Sequence, residues 1–434
     1  MDTTQTATAK LSRHDLDILR RLGQRKAQIA ADGANAERRA AWYAHDAGEP
    51  SARPMVLAEI FGVRDPHPPV GDADLRCRDE WARRIERSLL QQIYQFDVLK
   101  DDHVVEPWIQ TNWKVTVSDY GVQAVVHTSD ADVTLGARNW DPPIKDIDAD
   151  FAKLHPRTYS VDRDATAAEA ARLAEVFKGV LPVRIRGKFW WSMGLTWPAI
   201  DLIGLENLML LMYDNPQGLH RLMGLLRDDH LAYAQWIEGQ GLLTLDNEND
   251  YIGSGSMGYT RDLPAGDCRQ GGPVRLKDLW VLSESQETVG VGPELFEQFI
   301  FPYQLSLVER FGKCYYGCCE PVNNRWHILS RLPNLARVSV SPWADEDFMA
   351  EACGQRRVYS RKPNPTQIST GRFDEAAIRA DLRRTLEATG RHACRTEIIM
   401  KDVHTLHDEP GRLARWVALA RQEIDRWGAG AARV

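Results

Sequence analysis

Long apolar runs are missing from this chain of 434 residues. None reaches the ~18–20 residues that cross a bilayer, so no membrane span is expected. A basic excess is missing too: the formal charge is −7, without the basic stripe of a general nucleic-acid binder. The first ten residues are polar and lack the apolar core of a secretion signal, so a cytoplasmic location is expected. Cysteines are few, odd in number at seven, and scattered, which speaks against a disulfide framework and leaves thiolates free for chemistry. No Walker loop is present. The segment Gly253-Ser-Gly-Ser-Met-Gly258 has a glycine-rich look, but no helix pattern follows it, and a flexible loop is the simpler interpretation.

What is present alternates. Residues 1–50 read as a tail and a helical arm, 51–77 as a loop rich in Pro, Gly and Asp, and 78–100 as helix. Segments within 103–143 are β-like and suggest a first strand with a hairpin insertion. A helix follows, with Thr166 to Glu169 spaced as a capping box. From there strand patterns recur at 183–185, 242–245, 279–283, 313–317, 338–341, 357–360 and 396–400, separated by helical patterns that include 293–311 and 373–389. With one or two earlier strands the count nears eight. The expected class is α/β, a (β/α)8 TIM barrel at 101–434 carrying an N-terminal helical and β-hairpin extension at 1–100. Residues 253–272 form a long polar loop, a candidate lid.

In such a barrel the chemistry sits where strands end. The run Lys313-Cys-Tyr-Tyr-Gly-Cys-Cys-Glu-Pro321 ends a strand in two thiols and a carboxylate. Asp402 and His404 follow the last strand. Zinc takes three or four ligands from Cys, His and carboxylate, so Cys318, Cys319, Glu320 and His404 are the candidate metal ligands. Strand alternation would keep Cys318 and Cys319 on opposite faces unless a bulge at Gly317 relaxes it, and would put Asp402 and His404 on one face. Small buried core residues are the plainer interpretation of the cysteines. Glu248, Glu287, Asp402 and Lys401 are candidate acid–base residues. Asn112, Trp113, Asn247, Asn249, Tyr251, Tyr316, Trp343 and Lys362 are candidate contacts for a small-molecule substrate. Fourteen tryptophans are many; several lie near strand ends, where they would wall a pocket or fill the core.

Two segments carry a resemblance. Asp214-Asn-Pro-Gln-Gly-Leu-His-Arg-Leu-Met223 follows a strand, a Gly-aromatic loop and an apolar helix. Glu287-Thr-Val-Gly-Val-Gly-Pro-Glu-Leu-Phe-Glu-Gln-Phe-Ile-Phe-Pro-Tyr303 precedes the cysteine strand. Over roughly 180–425 the chain resembles the uroporphyrinogen decarboxylase-like superfamily. That resemblance implies a (β/α)8 barrel, often dimeric. It also implies either a decarboxylase or a zinc-dependent methyltransferase that exchanges methyl groups with a corrinoid protein. The methyltransferase branch carries His-x-Cys at one strand end; here Tyr316-Gly-Cys318 stands there, with tyrosine in place of histidine. Near the last strand Asp402 and His404 stand where the branch has cysteine, and Cys394 precedes that strand. The leading expectation is a zinc-dependent methyl (alkyl) transferase, with corrinoid on a partner protein and a homodimeric state. The alternative is a metal-free decarboxylase or lyase acting on a small carboxylated substrate.

Overall fold

The computed structural model describes residues 11–128 and 138–431. Eight parallel strands organise it: β1 Met55–Ala58, β2 Ile109–Asn112, β3 Val183–Arg186, β4 Trp280–Ser283, β5 Lys313–Tyr316, β6 Leu335–Val340, β7 Val358–Arg361 and β8 Arg395–Met400. Six of them form one sheet in the order β1-β8-β7-β6-β5-β4, and β2 and β3 form a separate parallel pair. Each strand therefore neighbours its predecessor or successor in the chain, with β1 returning to β8. That order is compatible with a TIM-barrel-like fold. Most of the sheet's strands are buried on both faces, as in parallel sheets covered by helices.

The backbone ladder is interrupted in two places, and carboxylates stand in at both. Between β3 and β4 runs the segment 242–245, which the alternation predicts as a strand but which pairs with neither neighbour. Instead the Asp246 carboxylate accepts the Trp280 amide that opens β4, at 3.0 and 3.2 Å, and Thr244 Oγ1 accepts the Gly187 amide at 3.4 Å. Beside β1, Asp102 Oδ2 accepts the Val56 amide at 2.7 Å and Asp101 Oδ2 accepts the Ala58 amide at 3.0 Å. A buried amide without a partner costs about 1–3 kcal/mol, so these side chains substitute for a neighbouring strand.

Several sequence expectations change. Residues 51–77 are not all loop, because Met55–Ala58 is a fully buried strand paired with 397–400. Four residues between Pro54 and Glu59 are too few to register as a pattern. The residues of the N-terminal extension thus supply a strand of the main sheet. The helix expected from Thr166 begins at Arg163, capped by the Asp162 side chain on the Ala165 amide. The expected 293–311 helix is two, Pro293–Phe299 and Phe301–Val308, divided just before Pro302, whose ring removes an amide donor.

The expected lid is partly an interior plug. Tyr251–Gly253 pairs with Ser256–Met257, and residues 252–260 are all buried. Met257 packs with Leu57, Ile399, Trp42 and Tyr259, and Ile252 with Leu282 and Tyr315. Gly255, at φ +87°, permits this: a Cβ there would lie 2.6 Å from Ile399 Cγ2. Beneath the plug Arg337 bridges Glu397, Ser256 Oγ and Asp46, all inside the molecule. The largest apolar core lies outside β4–β7, where Leu219, Leu222, Leu226, Phe296 and Phe299 pack from the flanking helices.

Candidate functional site

Parallel strands place all their C-terminal ends on one edge, and the titratable residues gather there. Cys318 and Cys319 follow β5. The chain turns at Gly317, φ +97°, so the alternation of β5 stops at Tyr316 and both sulfurs face each other, 3.6 Å apart. Lys401, which follows β8, brings Nζ to 3.5 Å from Cys318 Sγ and 3.2 Å from Ser254 Oγ. Asp402 Oδ2 lies 3.1 Å from the same ammonium and 3.5 Å from Cys319 Sγ. Cys318 and Lys401 are buried; Cys319 and Asp402 reach solvent.

This geometry sets the protonation of the sulfurs. The hydrogen bond from Cys319 lowers the Cys318 pKa, burial opposes it, and the Lys401 ammonium lowers it further. Cys319, as the donor, is pushed up. Lys401 is held as a cation: burial works against it, but Cys318 and Asp402 outweigh burial and raise its pKa. Cys318 is thus a buried thiol whose pKa is lowered by its neighbour sulfur and the Lys401 ammonium, a shift toward the thiolate that makes a cysteine more nucleophilic.

Glu320 and His404 stand apart from this pair of sulfurs in function. Glu320 is buried, and its two oxygens accept the amides of Ser285 at 3.0 Å and Cys318 at 2.9 Å. It positions the cysteine turn. His404 lies at the surface with Nδ1 3.4 Å from the Gly62 carbonyl. The alternation that put Asp402 and His404 on one face is broken at Asp402, whose φ is +57°. Among the described residues no group of three or more His, Cys, Asp and Glu side chains is placed to hold a metal. With the Lys401 ammonium against Cys318, the four candidate ligands do not fit a zinc ion as arranged.

A cavity of about 320 Å³ opens at the ends of β2 and β3; Cys318, Cys319 and Lys401 are not part of its lining. Asn112, Asn249 and Tyr251 line it, as expected, together with Arg186, Lys188 and Trp190. Its size lies within the range of small-molecule sites. Asn249 Nδ2 donates to the Val104 carbonyl at 2.7 Å, leaving Oδ1 buried without a partner among the described residues. Lys188 Nζ sits 4.2 Å above the Tyr251 ring, and burial lowers its pKa to about 8. Tyr251 joins the cavity to the thiol group: burial first, then the Glu59 charge, pushes its phenol up to about 12, while Lys401 pulls the other way.

The other candidates are placed as follows. Lys362 is buried after β7, with Nζ donating to Tyr315 OH at 2.9 Å and the Ser360 carbonyl at 3.1 Å; burial brings its pKa down to about 7. Tyr316 is internal, its hydroxyl donating to Gln304 Oε1 at 3.0 Å. Asn247 Nδ2 donates to the Leu263 carbonyl. Glu287 accepts the Thr196 hydroxyl at 2.6 Å, and the charge of Glu248 is felt at Arg39 and Tyr43 of the N-terminal arm. Trp113 carries the Arg163 guanidinium over its ring at 5.4 Å, and Trp343 is exposed after β6. Glu59, Asp101 and His103, which flank β1, are site residues without a local sequence signal. Asp101-Asp102-His103 reads only as a polar triplet, and its partner strand is not visible.

No protein-family model matches the chain, and no curated protein matches it. Among solved structures it is similar to a methyltransferase from Methanosarcina mazei, with 13% sequence identity over 89% of this chain and 99% of that one, at a TM-score of 0.47. That likeness is too distant to carry an argument about chemistry. No helix of the described residues is long and apolar enough to cross a membrane.

Proposed function

We propose that the chain is an alkyl (methyl) transferase of the uroporphyrinogen decarboxylase-like barrel type, and that the Cys318 thiolate is its nucleophile toward a small molecule. The observation that carries this is the Lys401 ammonium 3.5 Å from Cys318 Sγ, with the Cys319 sulfur 3.6 Å away. A cation and a hydrogen bond lower the pKa of the Cys318 thiol, so it supplies more thiolate than a free cysteine. The Cys318 sulfur attacks the alkyl carbon with its electron pair, and the bond to the donor heteroatom breaks with its electrons going to that atom. Tyr251, Asn249 and Asn112 orient the donor from the cavity they line. No step is routed through zinc, because the candidate ligands do not converge. A corrinoid protein as onward acceptor, a homodimeric state and a cytoplasmic location are the further parts of this proposal that the sequence resemblance implies.

The test incubates the purified protein with a panel of O-, N- and S-methyl donors and with free cob(I)alamin as surrogate acceptor. The expected result is corrinoid methylation by one donor class, a methylated Cys318 peptide by mass spectrometry, and a loss of about 100-fold or more in Cys318→Ser. Full activity in Cys318→Ser would remove the nucleophile from the proposal. The alternative, a metal-free decarboxylase or lyase, draws on Lys401 and Asp402, with Lys362 behind them. Carbon dioxide release by Cys318→Ser from a small carboxylic acid would favour it.

A further inference from the structure

The thiolate leaves one adjacent group unused. Glu59 follows β1, and its amide donates to the Met400 carbonyl at 2.9 Å, which fixes it beside Lys401 at the end of β8. The residue is 8% exposed, yet its Oε1 is fully buried and has no hydrogen-bond partner among the described residues. An unpaired buried carboxyl oxygen costs about 1–3 kcal/mol, and such exceptions call for an explanation. Nothing local requires an acid here, since the β1 amides are already capped by Asp101 and Asp102. Gly255 of the interior hairpin gives it room: a Cβ there would meet Glu59 Oε1 at 3.1 Å.

We infer that Glu59 is the proton-exchanging group of this rim, giving a proton to the heteroatom that leaves when Cys318 takes the alkyl group. The inference rests on the thiolate reading above. In the step, the Cys318 electron pair forms the S–C bond and the C–heteroatom pair goes to the heteroatom. The proton passes from the Glu59 carboxyl to that atom, leaving a carboxylate. Every element packed around Glu59 bears on its charge. Lys401 and Asp402 face it from the end of β8, Lys362 from β7, His103 from the segment before β2, and Tyr251 from the hairpin. Burial raises the carboxyl to about 7, against the attraction of Lys401, so it is part protonated at neutral pH. His103 is oriented through Nδ1 by Asp101 Oδ2 at 2.7 Å; burial works against its imidazolium, but Asp101 outweighs burial and raises its pKa. Lys401 and Lys362 would receive the carboxylate formed. A group poised near the working pH is the most effective proton carrier.

The test uses two thiol reagents on the full chain. Iodoacetamide transfers its carbon with loss of iodide and needs no proton. Acrylamide adds to the thiolate and its adduct must gain a proton at carbon. Glu59→Gln is expected to slow Cys318 modification by acrylamide about tenfold or more relative to iodoacetamide. In an infrared titration the protonated carboxyl band lost near pH 7 in the wild type should be missing from Glu59→Gln, while the bands of other buried carboxyls such as Asp246 and Glu284 stay. Glu59→Asp, which keeps the acid, should retain such a band at a displaced midpoint and serves if the glutamine variant does not fold. Equal effects on both reagents, or a band that persists unchanged in Glu59→Gln, would overturn the inference. Failure of the thiolate reading is separate: Cys318 would then react with neither reagent in the wild type.

Discussion

Replacing Lys401 with methionine tests the electrostatics of the thiolate directly. The side chain keeps its length and apolar stem and loses its charge. At 3.5 Å between Nζ and Cys318 Sγ, the attraction of unit charges is ~1 kcal/mol in a water-like medium and ~5 kcal/mol at the effective dielectric of a protein surface. At ~1.4 kcal/mol per pH unit, loss of the ammonium should raise the Cys318 titration by about 1 to 3 pH units. The Cys319 hydrogen bond, the larger stabilising influence on the thiolate, stays in place. The assay is the rate of iodoacetamide modification of Cys318 against pH, read by peptide mass spectrometry. Near neutral pH the rate should fall about tenfold or more, with the midpoint displaced upward. Lys401→Arg should keep most of the reactivity, because it returns a cation to the same place. A Lys401→Met profile that overlays the wild type would show that the ammonium does not hold the thiolate, and the nucleophile would lose its physical basis.

Two further outcomes follow from the same groups. Glu59 binds its proton more tightly folded than unfolded, with a pKa of about 7 against an ordinary 4.5, so folding stability should fall as pH rises between those values, by about 3 kcal/mol at most. Lys362 is depressed from 10.5 to about 7, so its contribution runs the other way: stability should be gained as pH rises from 7 to 10.5 and lost again on acidification toward 7. Chemical denaturation at stepped pH should show both limbs, with Glu59→Gln flattening the lower and Lys362→Met the upper; limbs that survive both substitutions would refute the assignment. For zinc, the placement of Lys401 against Cys318 predicts well under one equivalent per chain after dialysis and Cys318 reactivity unchanged by chelation. Stoichiometric zinc lost in Cys318→Ser would instead mean that Lys401 moves aside to admit a metal.

Much of the scaffold was legible in the sequence. The strands β4 to β8 announce themselves as short runs of Val, Leu, Ile and Tyr bounded by Gly, Pro and Asn and ending in polar residues. The same patterning drew attention to Cys318, Cys319, Asp402 and Lys401, because a strand that ends in ionisable groups must end at a surface where they are useful or solvated. What local pattern could not supply was contact between distant segments. Met55–Ala58 is too short to be periodic, and only its pairing with β8 makes it a strand. The 242–245 segment has strand composition, yet the Asp246 carboxylate, not its backbone, meets the Trp280 amide. The hairpin at 251–257 is polar and glycine-rich, as a surface loop would be, but its missing side chains let it enter the interior.

The partner of Cys318, expected as His404 and found as Lys401, was of the same kind. Strand alternation favoured the histidine, and positive φ angles at Gly317 and Asp402 ended that alternation on both sides of the site. By itself the sequence determined the alternating α/β order and which residues cluster near strand ends, because both follow from hydrophobic period and turn chemistry within a few residues. Only the tertiary structure decided which of those residues touch and which are charged. The pKa shifts of Cys318, Lys362 and Glu59 are set by burial and by charges from remote segments, and neither has a local signature.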